Sequence, residues 1–243
     1  METQYQTWVN GAQLISFPAG VSASAANDVL NSHLLAQVCA NQDGVVTANP
    51  RAWFQRSVDG LAQLMWSTQS TQSDVSRFGN LDDLSIVALV AKHLRKKLPT
   101  VIFKQMTGML EQICELDYEH PARQLFRTQV LDRNVGAHGT KRTAINFQLS
   151  ACTAPDQVFS LFVSLTLAVP LQQDFLHQAF YGVDSPGDGL FFYSHKELSV
   201  ARYARLREMT VAALAGDAVS LRQRLPVVTA TPATLEGGAN GRV

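Results

Sequence analysis

Histidine is the side chain that most readily serves as a general base at neutral pH. The sequence offers four candidates for such a role, His120, His138, His177 and His195. None of them stands in a recognisable Ser-His-Asp or metal-binding motif. A general base also needs partners in space, which spacing along the chain does not reveal. The sequence therefore predicts no catalytic residue and no enzyme activity.

The three cysteines, Cys39, Cys114 and Cys152, form no CxxC pair and no Cys/His cluster with zinc spacing. We expect them to be ordinary buried thiols, with a reactive or lipidated thiol as the alternative. The SPGDG stretch at residues 185–189 lacks the spacing of a phosphate-binding loop and predicts a turn. We therefore expect no metal ion and no cofactor.

The one concentrated run of charge is KHLRKK, in which the basic residues are Lys92, Arg95, Lys96 and Lys97. We call these four residues the basic patch. They could attract anionic lipid headgroups, at ~1 kcal/mol per basic residue near the surface. The alternative is a solvated helix end, because cations are favourable at the C-terminus of a helix.

Composition limits the class of protein. The chain has 243 residues, 46% of them hydrophobic, and its 20 basic residues balance 20 acidic ones. Zero net charge argues against a nucleic-acid partner and permits self-association. The polar start METQYQTWVNGAQ is not a secretory signal, so we expect a soluble protein released by a non-classical route. We expect one domain over residues 1–225 and a flexible tail over 226–243.

Helical patterns dominate the first half of the chain. AQLISF (residues 12–17) predicts a strand, and apolar spacing then predicts helices over 22–40, 50–66, 81–98 and 100–116. Asn49-Pro50 is typical of a helix start. The polar segment between Trp66 and Leu81 predicts a loop.

The second half has a period of two. Residues 143–152 and 158–169 alternate, and residues 124–131 and 189–195 are further strand candidates. Residues 197–216 fit a strand followed by a helix, or a helix throughout. Helices followed by strands predict an α/β (α+β) domain with a central, mostly antiparallel sheet wrapped by helical layers.

The most apolar stretch is VFSLFVSLTLAVPLQQDF, residues 158–175. It is too short for a membrane helix, which needs about 20 apolar residues, and Pro170 interrupts it. As a strand it presents one apolar face, and twelve residues span roughly 40 Å. That length fits either a buried strand of a soluble sheet or a tilted strand that crosses a bilayer.

The order of these segments resembles the Cyt-type delta-endotoxins and volvatoxin-like cytolysins. The likeness lies in AQLISF with the helix after it, NPRAWFQRSVDGLAQLM, KKLPTVIFKQMTGMLEQI, TAINFQLSAC, VFSLFVSLTLAV and GLFFYSH, and it covers about residues 12–215. The resemblance implies a Cyt-like fold, a pore-forming toxin without a cofactor, and two partners, a lipid membrane and further copies of the chain. The activating proteolysis sites of the family cannot be located in this sequence.

By that resemblance, the helices move away at a membrane and amphipathic strands insert or oligomerise. The candidate inserting strands are residues 124–131, 143–152 and 158–169, covered before insertion by helices 50–66 and 100–116. The candidate membrane-inserting residues are Ile145, Phe147, Leu149, Phe159, Leu161, Val163, Leu165, Leu167 and Val169. The basic patch would bind headgroups.

Three other functions stay open. A non-lytic protein of this fold could hold a lipid or another partner between sheet and helices. A small hydrolase would need a polar cluster that converges in a pocket. A self-assembling structural protein is suggested by the zero net charge alone.

Overall fold

A computed structural model describes residues 5–42, 49–78, 83–135 and 141–226. Its helices are Ala23–Asn41 (α1), Pro50–Gln63 (α2), Ile86–Lys97 (α3), Thr100–Glu115 (α4), Pro121–Val130 (α5), Val200–Tyr203 (α6), Arg207–Leu214 (α7) and Asp217–Ser220 (α8). Its strands are Tyr5–Asn10 (β1), Gln13–Pro18 (β2), Trp66–Ser76 (β3), Asp83–Leu84 (β4), Leu131–Val135 (β5), Lys141–Ala154 (β6), Gln157–Leu167 (β7), Phe180–Tyr181 (β8), Gly189–Leu198 (β9) and Arg222–Arg224 (β10). Most of the tail predicted over residues 226–243 lies outside the described residues.

One sheet organises the fold. Its strands follow the order β10-β1-β2-β6-β7-β9-β3, and β5 pairs with the first half of β6. Among the described pairs of this sheet, β2 and β6 are parallel and the others are antiparallel. The predicted α/β class with a mostly antiparallel central sheet is confirmed.

The predicted strands 143–152 and 158–169 correspond to β6 and β7, an antiparallel pair in the middle of the sheet. Their register runs from Thr143 opposite Leu167 to Cys152 opposite Val158, and the turn at residues 155–156 joins them. We call β6, this turn and β7 the central hairpin. Because the register is fixed on each side of the turn, the odd-numbered side chains of residues 145–151 and 159–165 face one side of the sheet.

Helical layers cover both faces of this sheet. On one face, α3, α4 and α5 share an apolar cluster with the odd-numbered residues of the central hairpin. On the other face, α1 and α2 pack in two smaller clusters with β2, β3, β7 and β9. The helix starts follow their sequence signals, since Asn49 caps α2 through a 3.0 Å hydrogen bond from the backbone N–H of Ala52.

The strand predicted over residues 124–131 is wrong, because Pro121–Val130 is a helix. His120 caps it, Pro121 occupies its first turn, and the buried residues Ala122, Phe126 and Val130 recur every four positions. That spacing is helical, and it outweighs the weak alternation of the segment. Only Leu131 continues into a strand, the short β5, so residues 124–131 are removed from the inserting candidates.

The loop predicted between Trp66 and Leu81 is also wrong, since residues 66–76 form β3 at the edge of the sheet. Most β3 side chains are exposed Ser, Thr and Gln, so neither face shows the apolar alternation that marks a strand. The ambiguous segment 197–216 is a strand only to Leu198 and then forms two short helices. The strand β1 was not predicted.

Candidate functional site

The apolar face of the central hairpin holds eight of the nine predicted inserting residues, and the ninth, Val169, follows it directly. Seven are fully buried in one cluster: Ile145, Phe147, Leu149, Leu161, Val163, Leu165 and Leu167. Phe159 and Val169 are half-buried at its margin, with Val169 just beyond the end of β7. The alternation read from the sequence therefore places these side chains together on one surface.

The cover over this face is helical and almost entirely apolar. Leu94 of α3, Met106 and Leu110 of α4, and Phe126 of α5 belong to the same cluster. The rings of Phe126 and Phe147 meet edge to face with centroids 6.0 Å apart. The predicted packing of residues 100–116 against this face is confirmed. The helix predicted over 50–66 instead lies as α2 on the opposite face.

The opposite face of these strands and of β9 is buried and mixes polar with apolar side chains. Its polar members are Asn146, Gln148, Ser150, Ser160, Ser164, Ser194 and Lys196, and Cys152, Val158, Phe162 and Phe192 lie on the same face. The hydroxyls of Ser150 and Ser160 are 2.7 Å apart across the central hairpin, and Gln148 donates to Ser150 at 3.1 Å. The central hairpin thus has one apolar face and one face lined by hydrogen-bonding groups.

Helix α1 covers the polar face through side-chain hydrogen bonds. Gln13 Nε2 of β2 donates to Ser150 Oγ at 2.5 Å and lies 3.1 Å from His33 Nδ1 of α1. Gln37 Nε2 donates to the carbonyl oxygen of Asn10 at 3.1 Å. Buried polar groups of this kind depend on their partners, because an unmatched one costs about 1–3 kcal/mol.

Two ionisable groups lie inside this polar interface. Lys196 is 2% exposed, and no carboxylate within the described residues forms a salt bridge with it. Its ammonium donates to Ser194 Oγ and lies 5.9 Å from the centre of the Phe54 ring. Burial lowers the pKa of Lys196 to about 8, and burial together with the charge of Lys196 lowers the pKa of His33 to about 3. Burial therefore disfavours the charged form of both groups in the folded protein.

Helix α2 contacts the polar face through aromatic rings. Trp53 stacks on Phe162 of β7 with ring centroids 5.0 Å apart, and Phe54 stacks on Phe192 of β9 at 4.8 Å. Trp53 Nε1 also donates to Asn41 Oδ1 at 2.7 Å, which joins α2 to the end of α1. The two helices thus form one connected cover.

The C-terminal segment holds α1 in place. Arg207 of α7 donates two hydrogen bonds to the buried carboxylate of Asp28, at 2.7 and 2.6 Å. Arg222 of β10 donates to Asn10 and Asn31 at 3.0 Å each. A bidentate arginine–carboxylate pair fixes geometry as well as charge.

The basic patch lies at the C-terminal half of α3, and all four of its side chains are exposed. Arg95 lies over the Phe103 ring at 5.5 Å, and Lys97 donates to Gln72 of β3 at 3.2 Å. Both features predicted for this segment, the helix end and the exposed cations, are present in the structure.

The predicted histidine candidates have separate surroundings. His120 caps α5, His177 Nδ1 lies 3.0 Å from Asp174 Oδ2, and His195 stacks on Phe159 at 4.0 Å. His138 lies outside the described residues. The structure does not bring these three described histidines together.

A different histidine, His93 of α3, has the partners that the sequence did not indicate. Its Nε2 is 2.6 Å from Ser76 Oγ and its Nδ1 is 3.3 Å from Asp74 Oδ2, both on β3. Because residues 67–80 were predicted to form a loop, the sequence did not indicate that Asp74 and Ser76 face His93. The alternation of Asp74 and Ser76 on one strand was the only available signal.

One set of possible metal ligands comes together in the described chain, from residues too far apart for a sequence motif. Donor atoms of Cys114, Asp174 and His177 lie within 4.8 Å of one another. Arg123 Nη2 is 3.4 Å from Asp174 Oδ1, and burial raises the pKa of the Cys114 thiol to about 12. A neighbouring guanidinium and a protonated thiol both disfavour a bound cation.

None of the helices in the described ranges combines the length and the apolar character that crossing a membrane requires.

The comparisons with known sequences return nothing: no protein-family model and no curated protein matches this chain.

Comparison with solved structures returns matches of low sequence identity. One match is a delta-endotoxin, with 9% sequence identity and a TM-score of 0.45 over 78% of this chain and 81% of the other. Another is the activated Cyt2Ba monomer from Bacillus thuringiensis subsp. israelensis, with 11% identity and a TM-score of 0.45 over 78% of this chain and 98% of the other. Neither the fold described above nor the function proposed below depends on these matches.

Proposed function

We propose that this protein is a membrane-active, pore-forming cytolysin whose central hairpin inserts into lipid and assembles with other copies of the chain. A membrane-free form, with both faces of the sheet covered, precedes the inserted form. The activity is conformational, and it requires no cofactor and no enzymatic step.

The observation that carries this proposal is the two-sided character of the central hairpin. Its strands have 14 and 11 residues, and a tilted strand needs about 9–11 residues to cross a bilayer. One face is a continuous apolar surface from Ile145 to Leu167, and the other carries Asn146, Gln148 and three serines together with Cys152, Val158 and Phe162. A strand between lipid and water requires this alternation of apolar and polar side chains.

Insertion requires that every backbone group keeps a hydrogen-bond partner. An unpaired N–H or C=O costs several kcal/mol in hydrocarbon, so an inserted hairpin must pair with neighbouring strands on both sides. Within one copy, β7 already pairs with β9, and β9 with β3. The outer edge of the 11-residue β3 offers further backbone groups to another copy, which is why we propose an oligomer.

The helices α3, α4 and α5 are the cover that lipid would replace. Their contacts with the central hairpin are apolar except for a 3.3 Å hydrogen bond from Gln105 of α4 to the carbonyl oxygen of Cys152, so acyl chains can substitute for most of them with little loss of burial. On the other face, Ser150 accepts a hydrogen bond from Gln13 of β2, which also contacts His33 of α1, and water can replace those bonds. The two interfaces therefore fit the two environments of an inserted strand.

The basic patch would make the first contact with the membrane. Its four exposed cations lie on α3, one of the helices that must move, and each is worth ~1 kcal/mol near an anionic surface. Headgroup binding would thus act directly on the cover of the apolar face.

A dye-release assay tests the proposal. Vesicles of phosphatidylcholine, with and without phosphatidylserine, are loaded with a self-quenched dye while tryptophan emission is recorded. We expect dye release that is faster with phosphatidylserine and is accompanied by a change in tryptophan emission, since Trp53 and Trp66 leave their buried sites.

Absence of release and of any spectral change on every lipid mixture would contradict the proposal. Solvent extraction of the purified protein then tests the main alternative, a lipid-binding protein that does not lyse membranes. Recovery of bound lipid without dye release would indicate a non-lytic lipid-binding protein of the same fold.

A further inference from the structure

The interface between β3 and α3 contains a hydrogen-bonded chain of a serine, a histidine and an aspartate. Ser76 Oγ is 2.6 Å from His93 Nε2, and His93 Nδ1 is 3.3 Å from Asp74 Oδ2. Each ring nitrogen of His93 therefore has one partner, a hydroxyl on one side and a carboxylate on the other. A nucleophile, a base and a group that orients the base are the parts of a serine hydrolase.

The surroundings hold these groups in that orientation. Asp74 Oδ1 accepts the backbone N–H of Val75 at 2.9 Å, which leaves Oδ2 for His93. The imidazole stacks on Phe191 with ring centres 3.7 Å apart. With its proton on Nδ1 facing Asp74, the ring presents the lone pair of Nε2 to the hydroxyl of Ser76.

The electrostatic environment favours a base at neutral pH. Burial lowers the pKa of His93 from its ordinary value, and the neighbouring Lys92 and Lys96 lower it further, while Asp74 raises it. The neutral imidazole is therefore the main form near pH 7. Asp74 then stabilises the imidazolium that forms when His93 accepts a proton.

We propose that Ser76 is the nucleophile of an esterase site in which His93 is the general base and Asp74 is the positioning residue. The proton of Ser76 Oγ moves to His93 Nε2 as Oγ bonds to the carbonyl carbon of a carboxylic ester. The ester C–O bond breaks, and the same proton passes from Nε2 to the leaving alkoxide. His93 then takes a proton from a water molecule as its oxygen bonds to the acyl carbon, the bond from that carbon to Ser76 Oγ breaks, and His93 returns the proton to Oγ as the acid leaves.

The neighbouring groups indicate the class of ester. Gly189 lies opposite Ser76 in the sheet, and a Cβ on it would be 2.7 Å from the Phe78 ring. Phe78 therefore lies beside the residue that pairs with Ser76, and Phe191 stacks on His93, so aromatic rings border the site. We assign an ester with an apolar acyl group.

A fluorophosphonate ester probe tests the site without a membrane and therefore independently of pore formation. The full-length protein is incubated with the probe and digested, and its peptides are identified by mass spectrometry. We expect one adduct on Ser76, no adduct there in Ser76→Ala, and at least ~100-fold slower labelling in His93→Gln. Ser73→Ala is the control, because exposed Ser73 lies on the same strand and the opposite face.

Hydrolysis of p-nitrophenyl butyrate provides the second measurement. Asp74→Asn should lower the rate and change its pH profile, whereas Ser73→Ala should retain both. An unmodified Ser76 in the wild-type protein overturns the assignment, and so does a labelling rate that is the same in His93→Gln. Hydrolysis that persists unchanged in Ser76→Ala would overturn it as well.

Discussion

Replacing Lys196 by methionine should stabilise the protein at neutral pH and not at pH 10.5. The lysine is buried against Phe54 and Ser194 between the sheet and the cover formed by α1 and α2. Its pKa falls from 10.5 to about 8 because burial penalises the charged form. Since one pKa unit corresponds to about 1.4 kcal/mol, charging Lys196 in the folded state costs roughly 3 kcal/mol.

The sign of the pH dependence follows from the protons bound in each state. Between about pH 8 and 10.5 the unfolded chain keeps the proton of this lysine and the folded protein has lost it. Stability therefore rises with pH across this window, and below pH 8 the full cost is present. Lys196→Met removes that cost and loses one hydrogen bond to Ser194, worth about 1 kcal/mol. The net gain at pH 7 should be about 2 kcal/mol.

Urea unfolding at pH 7, 9 and 10.5 measures this difference. The matched control is Lys104→Met, because Lys104 is exposed on α4. We expect a higher unfolding free energy for Lys196→Met at pH 7, a smaller gain at pH 9, and no gain at pH 10.5. A variant that is less stable than the wild type at pH 7, or a difference that does not vary with pH, would refute the reasoning.

Three further predictions concern the covers of the sheet. The unfolding free energy of the wild type should fall by about 2 kcal/mol between pH 7 and pH 5, because the pKa of His33 is lowered to about 3 in the folded protein and the unfolded state therefore binds the proton first. The unfolding free energy of His33→Gln should fall much less in the same urea titration. Phe126→Ala should lower the unfolding free energy by about 3–5 kcal/mol and speed dye release, since it opens a cavity beneath α5. The control Val101→Ala, at a position 65% exposed, should change neither the unfolding free energy nor the rate of dye release. Glutamine at all four positions of the basic patch should slow dye release from phosphatidylserine vesicles at low salt and leave the unfolding midpoint nearly unchanged.

Local signals in the sequence were sufficient to predict one helix start, one break between helices and the central hairpin. Asn49-Pro50 marked the start of α2, and Pro99 separated α3 from α4. The alternation over residues 143–169 located the central hairpin and eight side chains of its apolar face, because a strand with a fixed register sends alternate residues to one side.

The remaining features depend on contacts that are distant in sequence. β3 forms because β9 provides its hydrogen-bond partners, so its own polar residues gave no apolar pattern. Helix α5 was mistaken for a strand, since a short segment with few apolar residues fits both periods. Asp74 and Ser76 meet His93 only after the edge strand and α3 have packed together.

The most direct test of the central claim compares two adjacent residues of β7. Val163 faces the apolar cluster and Ser164 faces the polar side, and both are buried. Single variants Val163→Cys and Ser164→Cys are treated with a membrane-impermeant maleimide, with and without vesicles, and modification is located by peptide mass spectrometry. The exposed Cys39 serves as the internal positive control.

We predict that neither new cysteine reacts in the absence of vesicles, and that with vesicles Ser164→Cys becomes modified while Val163→Cys stays protected by lipid. Equal modification of both positions, or protection of both while dye escapes, would contradict the insertion of the central hairpin.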